Sequence, residues 1–284
     1  MSALRKSRLL TWLRRANVAR VQFSIKVHNQ LGLPGRVETA FVACPLCGNQ
    51  SDFEVRYRPF IWSPIKIVGC ICCDLSFLQP MPTPKFYDWY YGNMNMPKVT
   101  RRQAVVDSDT RQAAIYRGYA RHADQIADFV IPRAASRSNP VILEIGAAHG
   151  SNLTVFKRHY SKLELFEDEL DRRWSPMYDE HGIVNWNRRP PGTRADIIIM
   201  SHVLEHFPDP VQALIGAVQG LAEGGVFYIE VPNIPEGPQP SLPYKLVHTM
   251  YFSGKTLSSV AERAGLTKVA FEESDVISSV WRLG

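Results

Sequence analysis

Cys44-Pro-Leu-Cys47 and Cys70-Ile-Cys72-Cys73 place thiols two residues apart, twice, with 22 residues between the pairs. That spacing lets two backbone turns converge four sulfurs on one tetrahedral ion. Cys73 keeps the two-residue gap and Cys72 does not, so the ligand set is Cys44, Cys47, Cys70 and Cys73. Four thiolates leave no coordination position open, so the zinc expected here is structural, and a small unit gains folding energy from it. Reduced structural cysteines or a redox pair are the alternatives. A second constellation lies further on, where Val141-Ile-Leu-Glu144-Ile-Gly146-Ala-Ala148-His-Gly150 reads as a buried strand entering a glycine-bearing turn. Glycines permit the tight turn and a close ligand, and the helix predicted over Ser151 to His159 would turn its free N–H groups toward a carboxylate or phosphate. A dinucleotide fingerprint needs glycine at 146, 148 and 151, and only Gly146 complies, which argues against NAD or FAD. Glu167 follows Glu144 by 23 residues, at the end of the next strand, where a carboxylate accepts hydrogen bonds from ribose hydroxyls. It also reads as an ordinary surface acid among Glu164, Asp168 and Glu169.

The elements that must position these groups follow from periodicity. Short apolar runs at Val141 to Ile145, Lys162 to Phe166, Ala195 to Met200 and Gly225 to Val231 alternate with helical patterns. That alternation predicts an α/β fold, a mostly parallel sheet with crossover helices. Asp209 is a good N-cap before Pro210, with Gly224 and Gly225 to end that helix. A last helix over Gly254 to Ala264 precedes strand-like runs at Thr267 to Glu272 and Ser278 to Arg282, which complete the sheet. Apolar residues at three- and four-residue spacing from Asp107 to Val130 predict an amphipathic helix that ends before Pro132. The expected organisation is a basic arm (1–36), a cysteine module (37–98), a helical linker or lid (99–138) and a βα domain (139–284).

Charge is uneven. Residues 1 to 37 hold eight Lys or Arg and no acid, leaving 25 basic against 27 acidic residues elsewhere. The arm, with Leu9, Trp12, Leu13 and Ala16 among its charges, suits an anionic membrane surface or, less well, nucleic acid; a solvated helix is the plain alternative. No run approaches the length of a membrane span or a signal peptide. Five cysteines, four of them paired at ligand spacing, suit a reducing compartment. The expected location is cytoplasmic, peripheral at the inner membrane face if the arm engages lipid.

Glu144-Ile-Gly-Ala-Ala-His-Gly150, Ser201-His-Val-Leu-Glu-His-Phe-Pro-Asp-Pro210 and His248-Thr-Met-Tyr-Phe-Ser253 occur in an order that resembles the class I S-adenosylmethionine (SAM)-dependent methyltransferases of sugar and natural-product pathways. With the cysteine knuckles and Leu78-Gln-Pro-Met-Pro ahead of Tyr90-Tyr91, the resemblance covers nearly everything after the arm. It implies a Rossmann-like class I methyltransferase sheet behind a four-cysteine zinc module and a helical linker, with residues 139–284 as the SAM-binding domain. It implies that Glu144, Gly146 and Gly150 surround the methionine part of SAM, that Ala148 sits in the same turn where many relatives carry glycine, and that Glu167 holds the ribose. Ser201, His202, Leu204, Glu205 and His206 would line cofactor and acceptor.

Methyl transfer from a sulfonium is an in-line displacement, so the protein aligns donor and nucleophile, excludes water and, for a hydroxyl acceptor, supplies a base. His206 and His248, on the recognisable motifs, are the catalytic candidates, with His202 a third; a structural imidazole is the alternative for each. The layout is similar to that of deoxysugar C-methyltransferases, but Val247 stands where those show glutamate, and the sequence reaches Gly284 without their further domain. The expected acceptor is therefore the oxygen of a small molecule, a sugar, nucleotide sugar or glycan. Carbon methylation of a deoxysugar and methylation of ribosomal RNA are the alternatives.

Overall fold

The computed structural model describes residues 38–58, 64–93, 111–234 and 247–284. The basic arm expected over 1–36 lies outside the described residues, as does the start of the helical linker. In chain order the first strands are β1 (Thr39–Ala40), β2 (Phe53–Tyr57), β3 (Lys66–Cys70), β4 (Ser76–Gln79) and β5 (Met81–Pro82). Helices α1 (Pro84–Asn93) and α2 (Arg111–Val130) follow, and a 3-10 turn at Ile131–Arg133 closes α2 where proline removes an N–H.

The larger sheet holds β6 (Val141–Ile145), β7 (Glu164–Asp168), β8 (Ile183–Asn185), β9 (Ala195–Ser201), β10 (Leu221–Pro232), β12 (Leu266–Glu273) and β13 (Val276–Leu283). Its order is β12-β13-β10-β9-β6-β7-β8, parallel from β10 through β8 and antiparallel at β13 and β12. This is the mixed, mostly parallel α/β sheet that the alternating runs predict. The strand order reverses between β6 and β9, which is where open α/β sheets bind ligands, at the carboxyl ends of the strands.

Both faces of the sheet are covered, which is why its strands read as apolar runs and not as alternations. Ile142, Leu165, Ile197, Ile199 and Tyr228 face one side, where α2 delivers Ala123, Ile126, Ala127 and Val130. Leu143, Phe166, Ile198, Met200 and Phe227 face the other. That second face packs on α5 (Pro210–Val218) and α6 (Gly254–Arg263) through Leu214, Leu257 and Val260, and its core also contains Cys44, Val68, Cys70, Leu75 and Phe77 of the cysteine module. The module therefore shares a core with the sheet. Its antiparallel sheet β11-β4-β3-β2 takes an edge strand, β11 (Met250–Tyr251), from the far end of the chain.

Two expected boundaries move. Asp209 caps α5 by accepting from the Gln212 N–H, but the helix stops at Val218, and Gly224 and Gly225 lie inside β10. Gly224 has a φ of 72°, and the β9 register shifts between Leu221 and Val226, so these glycines form an irregularity in a strand and do not cap a helix. The helix expected to His159 is α3 (Ser151–Val155) followed by a 3-10 turn at Phe156–Arg158. Strand β8 and helix α4 (Ser175–His181) were not anticipated, being too short to show a period.

Candidate active site

The turn after β6 is held in a conformation few residues tolerate. Gly146, Ala148 and Gly150 have φ of 70°, 44° and 71°. Gly146 is required twice over, because a Cβ there would also meet the Val203 side chain at 2.6 Å. Ala148 adopts the left-handed conformation that a glycine would take at no steric cost. Glu144, 2% exposed, accepts from the Asn152 side-chain amide at 2.6 Å through one oxygen; the other is buried without a hydrogen-bond partner. Burial pushes its pKa up to about 8 despite Asn152. A positively charged or hydrogen-bond-donating ligand group in the turn would satisfy that oxygen, so the residues present fit the amino acid end of SAM.

Glu167 and Glu169 make different contacts. The Glu167 carboxylate, 2% exposed, accepts from the Glu169 N–H at 2.7 Å, the Asn185 amide at 3.0 Å and Arg172 at 3.1 Å, which occupies both oxygens. Glu169 reaches the turn, accepting from the Ala148 N–H at 2.9 Å. Glu169, two residues beyond Glu167, is the acid that touches the turn. Sequence reasoning passed over it because four acids cluster there and strand alternation does not say which one clears the sheet edge.

Across the turn, β9 ends at Ser201 with His202 directly after it, and the 3-10 turn Leu204–His206 carries Glu205 and His206. His202 has a φ of 56°, which puts it, like Ala148, in the left-handed region that few non-glycine residues adopt. Glu205 is 1% exposed, and its carboxylate lies 3.7 Å from His202 Nδ1 and 3.8 Å from His206 Nε2, without a hydrogen bond. Burial opposes its ionisation, but His202, His206 and His248 together hold its pKa below the usual carboxylate range. The His206 and His248 rings pack edge-on with centroids 4.8 Å apart. They meet because Thr249 donates from its N–H and its hydroxyl to the Glu205 carbonyl, at 2.8 and 3.0 Å, tying the β11 segment to the 3-10 turn. Leu204 is buried in the core beneath.

A residue that no motif marked joins this region. His122 on α2 meets Glu230 in β10, Nε2 to Oε1 2.8 Å, and His202 Nε2 approaches the same oxygen at 3.2 Å. Ser201 donates to that oxygen as well, while Tyr228 and Ser278 donate to the other. Against the cost of burial, these partners bring the Glu230 pKa down to about 2. His122 left no sequence signal beyond being an imidazole on a helix.

In the module, Cys44 and Cys73 bring their sulfurs to 3.4 Å and Cys47 and Cys70 to 3.5 Å, with no disulfide between them. All four lie within 4.8 Å of one another, and Cys72 is exposed outside the group. A tetrahedral ion with Zn–S bonds of about 2.3 Å sets its sulfurs roughly 3.8 Å apart, so this cluster suits zinc.

A family model described as a methyltransferase domain matches residues 116–270, more than half of the chain. The chain belongs to the methyltransferase-domain family. That segment is a SAM-dependent methyltransferase domain. No curated protein matches the sequence. Solved structures similar to this chain include an O-methyltransferase family 2 protein from Planctomyces limnophilus in complex with apigenin, 19% identical, covering 59% of each chain with a TM-score of 0.48. CalO1, a methyltransferase of calicheamicin biosynthesis in its S-adenosylhomocysteine-bound form, is 17% identical over 64% of this chain and 60% of its own, with a TM-score of 0.39. Streptomyces venezuelae DesVI is 16% identical over 61% of this chain and 98% of its own, with a TM-score of 0.44. The match to the first of these spans about three fifths of that protein's length. Among the described residues no helix is long and apolar enough to cross a membrane.

Proposed function

We propose that this protein methylates an oxygen of a sugar, nucleotide-sugar or glycan-linked acceptor, using SAM, with zinc held by Cys44, Cys47, Cys70 and Cys73 as a structural ion. The observation that carries it is the pairing of His206 with His248 over the buried Glu205, next to the glycine turn. Glu144, the Gly146–Gly150 backbone, Glu167 and Glu169 would hold the cofactor, whose sulfonium would supply an electrophilic methyl group. His206 or His248 would take the proton of the acceptor hydroxyl, leaving its oxygen to accept the methyl group that the cofactor would supply. Glu205 stabilises the imidazolium so formed, as a buried carboxylate beside a catalytic histidine does. Ser201 and His202 line the same mouth. A base within reach of the acceptor and a closed, apolar surround are what such a transfer needs from a protein. The basic arm, on this reading, brings the domain to an anionic surface where glycan-linked acceptors are assembled.

Carbon methylation is the second reading, and Glu205 favours it. Val247 is buried and brings no carboxylate to His248, but Glu205 supplies one from another element. Incubating the full chain with labelled SAM and extracts fractionated into nucleotide sugars, polysaccharide and RNA separates the readings. Label as an O-methyl group in a saccharide fraction is the expected result, and label on sugar carbon or in RNA overturns it. If the folded, zinc-loaded protein binds neither SAM nor S-adenosylhomocysteine at millimolar concentration, the enzyme reading itself fails.

A further inference from the structure

His122, His202 and Glu230 come from α2, the end of β9 and β10, and nothing in their spacing relates them. In the fold their nitrogen and oxygen atoms lie within 4.8 Å of one another, with Glu230 Oε1 at 2.8 Å from His122 Nε2 and 3.2 Å from His202 Nε2. We propose that these three side chains bind one divalent transition-metal ion at the acceptor end of the sheet.

An ion with bonds of about 2.0–2.2 Å to nitrogen and oxygen sets neighbouring ligands roughly 2.8–3.6 Å apart, from octahedral to tetrahedral angles, a range that holds both the 2.8 Å of His122 and the 3.2 Å of His202 from the carboxylate oxygen. The surroundings are those of a ligating carboxylate. Glu230 Oε2 accepts from Tyr228 at 2.7 Å and Ser278 at 3.2 Å, which fixes the group so that Oε1 faces the imidazoles; Ser201 also donates to Oε1, at 2.9 Å. Outer partners of this kind orient a ligand and tune its ion. His202 is fixed through its backbone too, its N–H donating to the Glu230 carbonyl at 2.9 Å in the left-handed conformation. That conformation is uncommon for a residue other than glycine and clusters at functional sites.

Two imidazoles and one carboxylate suit Fe2+, Co2+, Mn2+ or Zn2+ and leave coordination positions on the opposite face. The Glu230 side chain is 2% exposed, but those of His122 and His202 are 33% and 44% exposed, so the open face is the one a ligand reaches. An acceptor offering adjacent oxygens, such as a vicinal diol, would chelate there. The ion would make its hydroxyl more acidic, the proton would pass to His206 or His248, and the oxygen would attack the methyl carbon as described above. This role rests on the proposed methyl transfer; the metal site itself does not.

The full chain carrying one zinc per molecule, with S-adenosylhomocysteine binding measured first, is titrated with Co2+ alone. Calorimetry, visible absorption and metal analysis of the washed protein give the stoichiometry and the ligand type. The expected result is one further ion per chain, without a thiolate charge-transfer band, and at least tenfold weaker binding in His122→Ala and Glu230→Gln. His122 lies on a partly exposed helix face, so His122→Ala remains readable should Glu230→Gln fail to fold. No second ion in the wild type, or unchanged binding in His122→Ala, overturns the proposal and leaves the three residues as a hydrogen-bonded network. Failure to bind S-adenosylhomocysteine would sink the methyltransferase reading, while the Co2+ titration would still decide the metal site.

Discussion

Two groups of potential ligands in this molecule are assembled in opposite ways. Cys44, Cys47, Cys70 and Cys73 come from two tight turns and need only a hairpin to meet. His122, His202 and Glu230 come from a helix, a strand end and a strand interior, and need the whole sheet. Softness follows the same division: thiolates close a site around an ion, while imidazoles and a carboxylate leave one open. On the readings proposed above, the local cluster would hold structure and the dispersed one would stand where chemistry is done. The module is nevertheless not a separate bead, because β11 completes its sheet and brings His248 to Glu205.

Perturbing the cysteines should give the largest effect and tie the two regions together. Chelation of the ion proposed for the module, or Cys70→Ser, is expected to cost at least about 3 kcal/mol and lower the unfolding midpoint by roughly 10 °C, with methyl transfer lost in parallel. Calorimetry and activity on one sample check this; activity retained after the module melts would break the coupling. Replacing the histidines should do the reverse. His206→Ala or His248→Ala is expected to cut kcat by about 10²–10⁴ while S-adenosylhomocysteine affinity and the midpoint hold. A fall in stability matching the fall in rate would make the pair structural.

Gly146→Ala should weaken cofactor binding by about tenfold or more, on the order of 1.4 kcal/mol, because the new methyl meets Val203 and the φ is 70°. Isothermal titration reads it directly. The smallest effect concerns pH. Glu144, at about 8, binds its proton more tightly folded than unfolded, so its contribution is present at low pH and is lost as pH rises from the ordinary carboxylate value toward 8. Glu144→Gln should flatten that decline, by at most about 1.4 kcal/mol per pH unit. In the wild type, binding of a ligand with an ammonium group should release a proton near neutral pH, visible as a buffer-dependent binding enthalpy. No proton release would remove Glu144 from the ammonium.

Much of this was legible in advance, and the reasons are local. A strand buried on both faces must be apolar along its length, so β6, β9 and the core of β10 show in the sequence. Asp209-Pro210 announces a helix start because cap chemistry is a matter of neighbouring residues. The end of α5 was not legible, since Gly224 and Gly225 serve a turn or a strand irregularity equally well until a partner strand fixes the register. Among the acids, strand periodicity put Glu167 at the right edge, but only packing showed its carboxylate absorbed by Arg172 and Asn185 and Glu169 left facing the turn.

The sequence by itself determined the alternation of strands and helices, the glycine turn and the four thiols, because each depends on residues close along the chain. The tertiary structure alone decided that His122 meets Glu230, that Glu205 lies beneath His206 and His248, and that β11 joins the cysteine module. Those contacts depend on strand order and on which end of each strand faces the same side. They are set by burying all the apolar faces at once, and no short stretch of sequence encodes that condition.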